Sequence, residues 1–150
     1  MLKSCCLSVG VLCLLAAPAL AQPAAVAAGL VKVASGEVFI VRGAVSLPAS
    51  VGLEIHQDDL LRTGPDGRLG VTLKDDTRLA LEPGSAVRIA SFQYAPEAGK
   101  LALVLKFVSG AAAYVSGHIA KLSPDAVRLE TPQAIVGVRG TTLAIRVGDQ

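Results

Sequence analysis

Tryptophan is absent and aromatic residues make up 3% of the 150-residue chain, so stacked rings cannot supply its core. Val, Leu, Ile and Ala must, and at 52% apolar residues they are plentiful enough to exclude intrinsic disorder. The length accommodates one ordinary domain and excludes a multidomain enzyme. Charge of either sign is scarce in net terms: +2 overall is too close to neutral for the electrostatic footprint of a nucleic-acid binder. Only two histidines occur, His56 and His118, and the three cysteines, Cys5, Cys6 and Cys13, all lie near the amino terminus.

That terminus reads as an export signal. Lys3 precedes an apolar run from Cys5 to Ala17, Pro18 breaks it, and Ala19-Leu20-Ala21 offers small residues around a cleavage point. The run falls short of the roughly 20 residues a membrane-spanning helix needs. The expected organisation is a signal peptide over 1–21, a flexible Pro/Ala linker over 22–29 and a β domain over 30–147. An uncleaved, membrane-tethered form and a lipoprotein at Cys13 are the alternatives, the latter disfavoured by Leu12, where lipid attachment wants a small residue. Cleavage after Ala21 leaves a periplasmic, thiol-free domain with no transmembrane segment, no disulfide and no thiolate metal site.

What is abundant is turn chemistry. Fifteen glycines and eight prolines punctuate the chain roughly every 8–15 residues. Between them the period is two: Leu69, Val71 and Leu73 alternate with Arg68, Gly70 and Thr72, and Leu79 and Leu81 alternate with Arg78 and Ala80. Alternation of this kind describes antiparallel strands with one wet face, and Asp75-Asp76 is a natural tight connection between these two. Leu30–Val33 and Val38–Val41, parted by Ser35-Gly36, read as a strand pair. Leu101–Val108 reads as a central strand covered on both sides, with further strands at Tyr114–Ile119, Val127–Leu129 and Leu143–Val147. No window sustains a helical stripe. The expectation is an all-β, two-layer sandwich of jelly-roll type with about ten to twelve short, mostly antiparallel strands.

Candidate chemistry is thin. His56 with Asp58 and Asp59 is the nearest approach to a metal site, yet adjacent carboxylates on a strand point to opposite faces; His118 reads as a solvated rim residue. Asp75 and Asp76 read as turn residues kept ionised by solvent rather than a pair for acid/base work. No Gly-x-Ser-x-Gly elbow occurs, and Gly137-Val-Arg-Gly140 is too short for a phosphate loop. No enzyme activity, cofactor or metal is expected. Arg139 stands out as a guanidinium able to clamp the closing segment, costing about 2–4 kcal/mol on removal if buried, with Thr131-Pro132 giving that segment an extended entry.

Three stretches together resemble the FecR domain: Asp59-x-Leu61-x-Thr63-Gly64; Leu73-x-Asp75-Asp76-Thr77-x-Leu79-x-Leu81-x-Pro83-x-Ser85, followed by Gly110; and Thr131-Pro132-x-Ala134-x-Val136-Gly137-Val138-Arg139-Gly140-Thr141. The likeness runs from about Leu30 to Val147. Asp58 and Asp76 stand where the family usually has glycine, and Asp can replace glycine in a turn at modest cost. The resemblance implies a non-enzymatic periplasmic β domain of the kind that receives a signal from a TonB-dependent outer-membrane receptor. Here the domain directly follows the export segment, so a sigma-factor-regulating arm is not expected. The expected role is a binding or interaction module of the envelope, engaging another envelope protein or a glycan and no nucleic acid; the alternative is a structural or self-assembling envelope subunit.

Overall fold

A computed structural model describes residues 25–139 and 142–148; the expected signal peptide, all three cysteines, Gly140 and Thr141 lie outside the described residues. Twelve strands form a single curled sheet: β1 (Ala27–Ser35), β2 (Val38–Arg42), β3 (Val45–Pro48), β4 (Glu54–His56), β5 (Leu60–Thr63), β6 (Arg68–Leu73), β7 (Arg78–Leu81), β8 (Ala86–Ala95), β9 (Lys100–Val115), β10 (Val127–Glu130), β11 (Ile135–Gly137) and β12 (Thr142–Val147). The all-β character and strand number match the expectation, and every pairing is antiparallel except that of β10 with β9. The strands are connected as one curled sheet. β1 starts at Ala27, where Ala28 is already buried, so the last three residues of the expected linker are strand.

The registers show how the curl arises. β1 and β2 are not partners of each other; β1 pairs with β6 and β4, whereas β2 pairs with β5 and β3. Ser35 and Gly36 therefore make a crease, not a hairpin. The same crease separates β5 from β6, β7 from β8, and β3 from β4. β9 alone continues through it, pairing with β8 before Gly110 and with β7 and β12 after it. Five long antiparallel runs thus bend once each, at the same level, giving a front half (β1, β4, β6, β7, β12) and a back half (β2, β3, β5, β8, β10, β11). Leu69, Leu79 and Tyr114 of the front half and Ile40, Leu61, Ile89 and Leu105 of the back half are buried in one core.

Period-two patterning explains the two sides. In β6 and β7 the leucines and Val71 are buried, and Leu69 faces Leu81 and Val71 faces Leu79 across the ladder. β9 has partners on both edges, as expected of a central strand, but only one face is covered: Leu103, Leu105 and Phe107 are buried while Lys106 and Val108 are exposed. Its last residues are Tyr114 and Val115; the segment expected to continue as strand turns instead into a short helix, α1 (His118–Leu122), whose Ile119 and Ala120 join the core.

Candidate interaction surface

Four of the signature residues, Thr63, Gly64, Ser85 and Gly110, hold the crease. Thr63 Oγ1 donates to the Glu82 carbonyl at 2.6 Å and accepts the Ser85 amide at 2.8 Å. Ser85 Oγ donates to the Ala111 carbonyl at 2.7 Å and accepts the Ala111 amide at 3.0 Å. Gly64 accepts from the Gly84 amide and donates to the Glu37 carbonyl. A bend interrupts the regular ladder and strands buried amides and carbonyls, and these two hydroxyls re-satisfy them. Gly110 has φ +75°, and a Cβ there would lie 2.5 Å from both the Gly84 carbonyl and Ser85 Oγ; the crease in β9 requires a glycine.

Asp59 and Asp75 are structural as well. Asp59 is fully buried and takes Arg42 Nε at 2.9 Å, Arg42 Nη2 at 2.7 Å and the His56 amide at 2.8 Å. Arg42 Nη2 also donates to the Glu54 carbonyl at 3.0 Å. One ion pair thereby links β2, next to one end of the curl, with β4 at the other end, and the Asp59 hydrogen bond raises the guanidinium pKa above its ordinary value, against the opposing effect of burial. Asp75 corrects the expectation of a solvated hairpin carboxylate: it is buried, accepts Thr77 Oγ1 at 2.7 Å and the Thr77 amide at 3.2 Å, and its carbonyl takes the His118 amide, seating α1 on the β6–β7 turn. Only Asp76 is exposed. Tyr114 completes this region; burial raises its phenol pKa, partly offset by the neighbouring Ser116 and Thr77 side chains.

His56, Asp58 and Asp59 do not converge on a cation. Asp59 is committed to Arg42, Asp58 is exposed, and the His56 ring is 3.7 Å from Glu54. Among the described residues no group of three or more His, Cys, Asp or Glu side chains comes together in a metal-binding arrangement. His118 is exposed at the rim, as expected, with Nδ1 3.0 Å from the Asp75 carbonyl and 3.3 Å from Asp76. No helix of the described residues is long and apolar enough to cross a membrane.

The remaining signature residues form something different. Thr131 and Ala134 close a tight turn, Thr131 Oγ1 accepting the Ala134 amide at 3.0 Å and the Thr131 amide donating to the Ala134 carbonyl at 2.8 Å. Thr131-Pro132 is therefore the turn of the β10–β11 hairpin and not an extended entry. β11 pairs with β10 on one side only. All three of its residues are exposed, Ile135 at 70% and Val136 at 40%, and Gly137 follows. Val138 is buried and anchors the strand from its far end. Arg139 is exposed and makes no hydrogen bond or ion pair with the described residues, so the buried clamp expected there is not seen; the Arg42–Asp59 pair fills that role.

Other edges of the sheet are protected. Pro48 lies on β3, the Glu54 carbonyl of β4 is taken by Arg42, and β12 carries Arg146; proline and charge on an outer strand, and occupied backbone groups, all discourage pairing. β11 has none of these among the described residues. Sequence reasoning missed Arg42, whose only signal was a lone cation ending an apolar run.

Over residues 59–150 the chain matches the FecR family, described as FecR protein. No curated protein and no solved structure matches it significantly. The family is regulatory rather than enzymatic and is associated with the cell envelope. β1 to β4 precede the matched stretch yet pair directly onto β5 and β6 within it, completing the same sheet. The chain belongs to the FecR family.

Proposed function

We propose that the chain is a non-enzymatic interaction module of the periplasm, exported by a cleaved signal peptide over 1–21, that engages another envelope protein and so feeds envelope signalling in the manner of a FecR-type sensor domain. The observation that carries this reading is the β11 edge: an apolar strand, exposed on both faces and paired on one side, lying within the family match, with Val136 and Gly137 among the residues that carry the resemblance. Such an edge accepts an extended segment of a partner through its main chain, with Ile135 and Val136 supplying side-chain contacts. Arg139 beside it is available to a partner carboxylate.

Site-specific photo-crosslinking in intact cells tests this. A photoreactive residue at Ile135 should capture one defined envelope protein, and the same group at Glu97, an exposed turn residue distant in sequence, should not. Capture only of a second copy of the chain would favour a self-assembling envelope subunit, for which the same free edge would serve. Equal labelling at both positions, or none at Ile135, would overturn the role assigned to β11. Recovery of the mature chain from the cytoplasm would overturn the proposed location.

A further inference from the structure

The small net charge conceals a segregation. Many acidic residues lie at turns and creases, among them Asp58, Asp66, Asp76 and Glu97, whereas most of the exposed cations sit on the strands. On the outer face of the front half, Gly70, Ala80, Ala113 and Ala144 lie side by side across four strands, by the registers Gly70 to Ala80, Ala80 to Ala113 and Ala113 to Ala144. Two concavities of about 760 and 300 Å³ meet at Ala113 and run along this floor. Lys32 and Arg78 line one, Arg146 the other, with Glu82 the single anion among the described residues. All three cations are exposed, and none forms an ion pair among the described residues. From β1 to β12 the groove crosses five strands, about 19 Å at the usual strand spacing.

We propose that this groove binds a linear, carboxylated polysaccharide. Charge complementarity sets the sign of the ligand: among the described residues three unpaired cations, two of them guanidinium groups whose fork matches a carboxylate, stand against one carboxylate. Shape argues for a chain, because the floor is concave and elongated, whereas a bilayer would meet a flat or convex face with apolar anchors. An acidic peptide would use main-chain hydrogen bonds, and the backbone groups of β6, β7 and β9, which form the middle of the floor, are occupied by the ladder. The phosphate density of nucleic acid calls for more cations than a chain of net charge +2 offers. Among the described residues no aromatic ring lines the groove, so a neutral glycan would find no stacking platform there and charge must supply recognition. This site lies on a different half of the sheet from the β11 edge and stands independently of the role proposed for it.

The test uses the full chain and fluorescein-labelled polygalacturonate, followed by anisotropy at low and moderate salt. The expected result is saturable binding that weakens as salt rises, with neutral dextran inert. Replacing Arg78 and Arg146 together (R78E/R146E) should weaken binding at least about tenfold, a loss of about 1.4 kcal/mol. The same change of charge on the other half (R88E/R128E) should alter it less than about threefold. Unfolding midpoints near that of the natural chain would show that all variants fold. Equal weakening by both pairs would mean undirected charge attraction and overturn the proposal. Tighter binding of polyglutamate or of anionic vesicles than of polygalacturonate would overturn the ligand class in favour of an acidic peptide or a membrane surface.

Discussion

Arg42 and Asp59 form a two-pronged ion pair, at 2.9 and 2.7 Å, that joins the end of β2 to a carboxylate which also holds the His56 amide. The pair closes the curl of the sheet on the side opposite the crease. Its carboxylate is sealed from water while its guanidinium side chain is 38% exposed, so solvent screens part of the interaction. Removing the cation leaves Asp59 buried without a counter-charge. Arg42→Ala should therefore cost about 2–3 kcal/mol in urea-induced unfolding. Arg139→Ala, at an exposed position, should stay within about 0.5 kcal/mol. A reversal of that order would place the clamp in the closing segment.

The crease gives a sharper contrast. Gly110 and Gly84 both have positive φ, 75° and 69°, but a Cβ at Gly110 would strike Gly84 and Ser85, whereas one at Gly84 would have open space. Gly110→Ala should cost about 3 kcal/mol or more, combining backbone strain with a clash against main chain. Gly84→Ala should cost about 1 kcal/mol. Equal costs would show that φ alone governs both sites.

Asp58 and Asp76 are the two non-glycine residues with positive φ among those described, at 70° and 66°. Because left-handed backbone disfavours a branched side chain most, Asp58→Gly should be neutral or stabilising by up to about 1 kcal/mol, and Asp58→Val destabilising by about 1–2 kcal/mol. Thermal unfolding of the two variants checks the order. These are the two positions at which the resemblance leads one to expect glycine, and their positive φ is the backbone that glycine adopts most freely.

Tyr114 predicts an alkaline limit to stability. Burial raises its pKa above the ordinary 10.0, so as pH rises past that value the unfolded chain loses its phenolic proton first. The Tyr114 contribution is thus complete below about pH 10 and falls above it, by about 1.4 kcal/mol per pH unit until the folded phenol also ionises. Tyr114→Phe should flatten this part of the stability curve. An unchanged slope between pH 10 and 11 would contradict the assignment.

Much of this was legible in the residues because local rules determine it. Leu69, Val71 and Leu73 alternate with polar neighbours, and Asp58 and Asp76 sit where a turn needs left-handed backbone, so strand faces and turn positions can be read directly. The crease could not be. Ser35-Gly36 carries the chemistry of a hairpin, and only the registers of β1 with β6 and β2 with β5 show that the chain bends and continues. Burial of Asp75 depends on α1 folding over the turn, a contact between residues 43 positions apart. Arg42 and Asp59 are 17 apart, with nothing local to link them. Arg139 was singled out from its glycine-flanked setting, but side-chain burial is decided by tertiary packing, and no strand of the described residues covers it.

The most direct test of the interaction role is amide hydrogen exchange of the full chain, alone and with the envelope protein captured at Ile135. The account predicts slowed exchange at Ile135–Gly137 in the complex, extending into the neighbouring β10, with the crease residues Thr63, Ser85 and Ala111 unchanged. Protection centred elsewhere on the sheet, with β11 exchanging as fast as in the free chain, would contradict it.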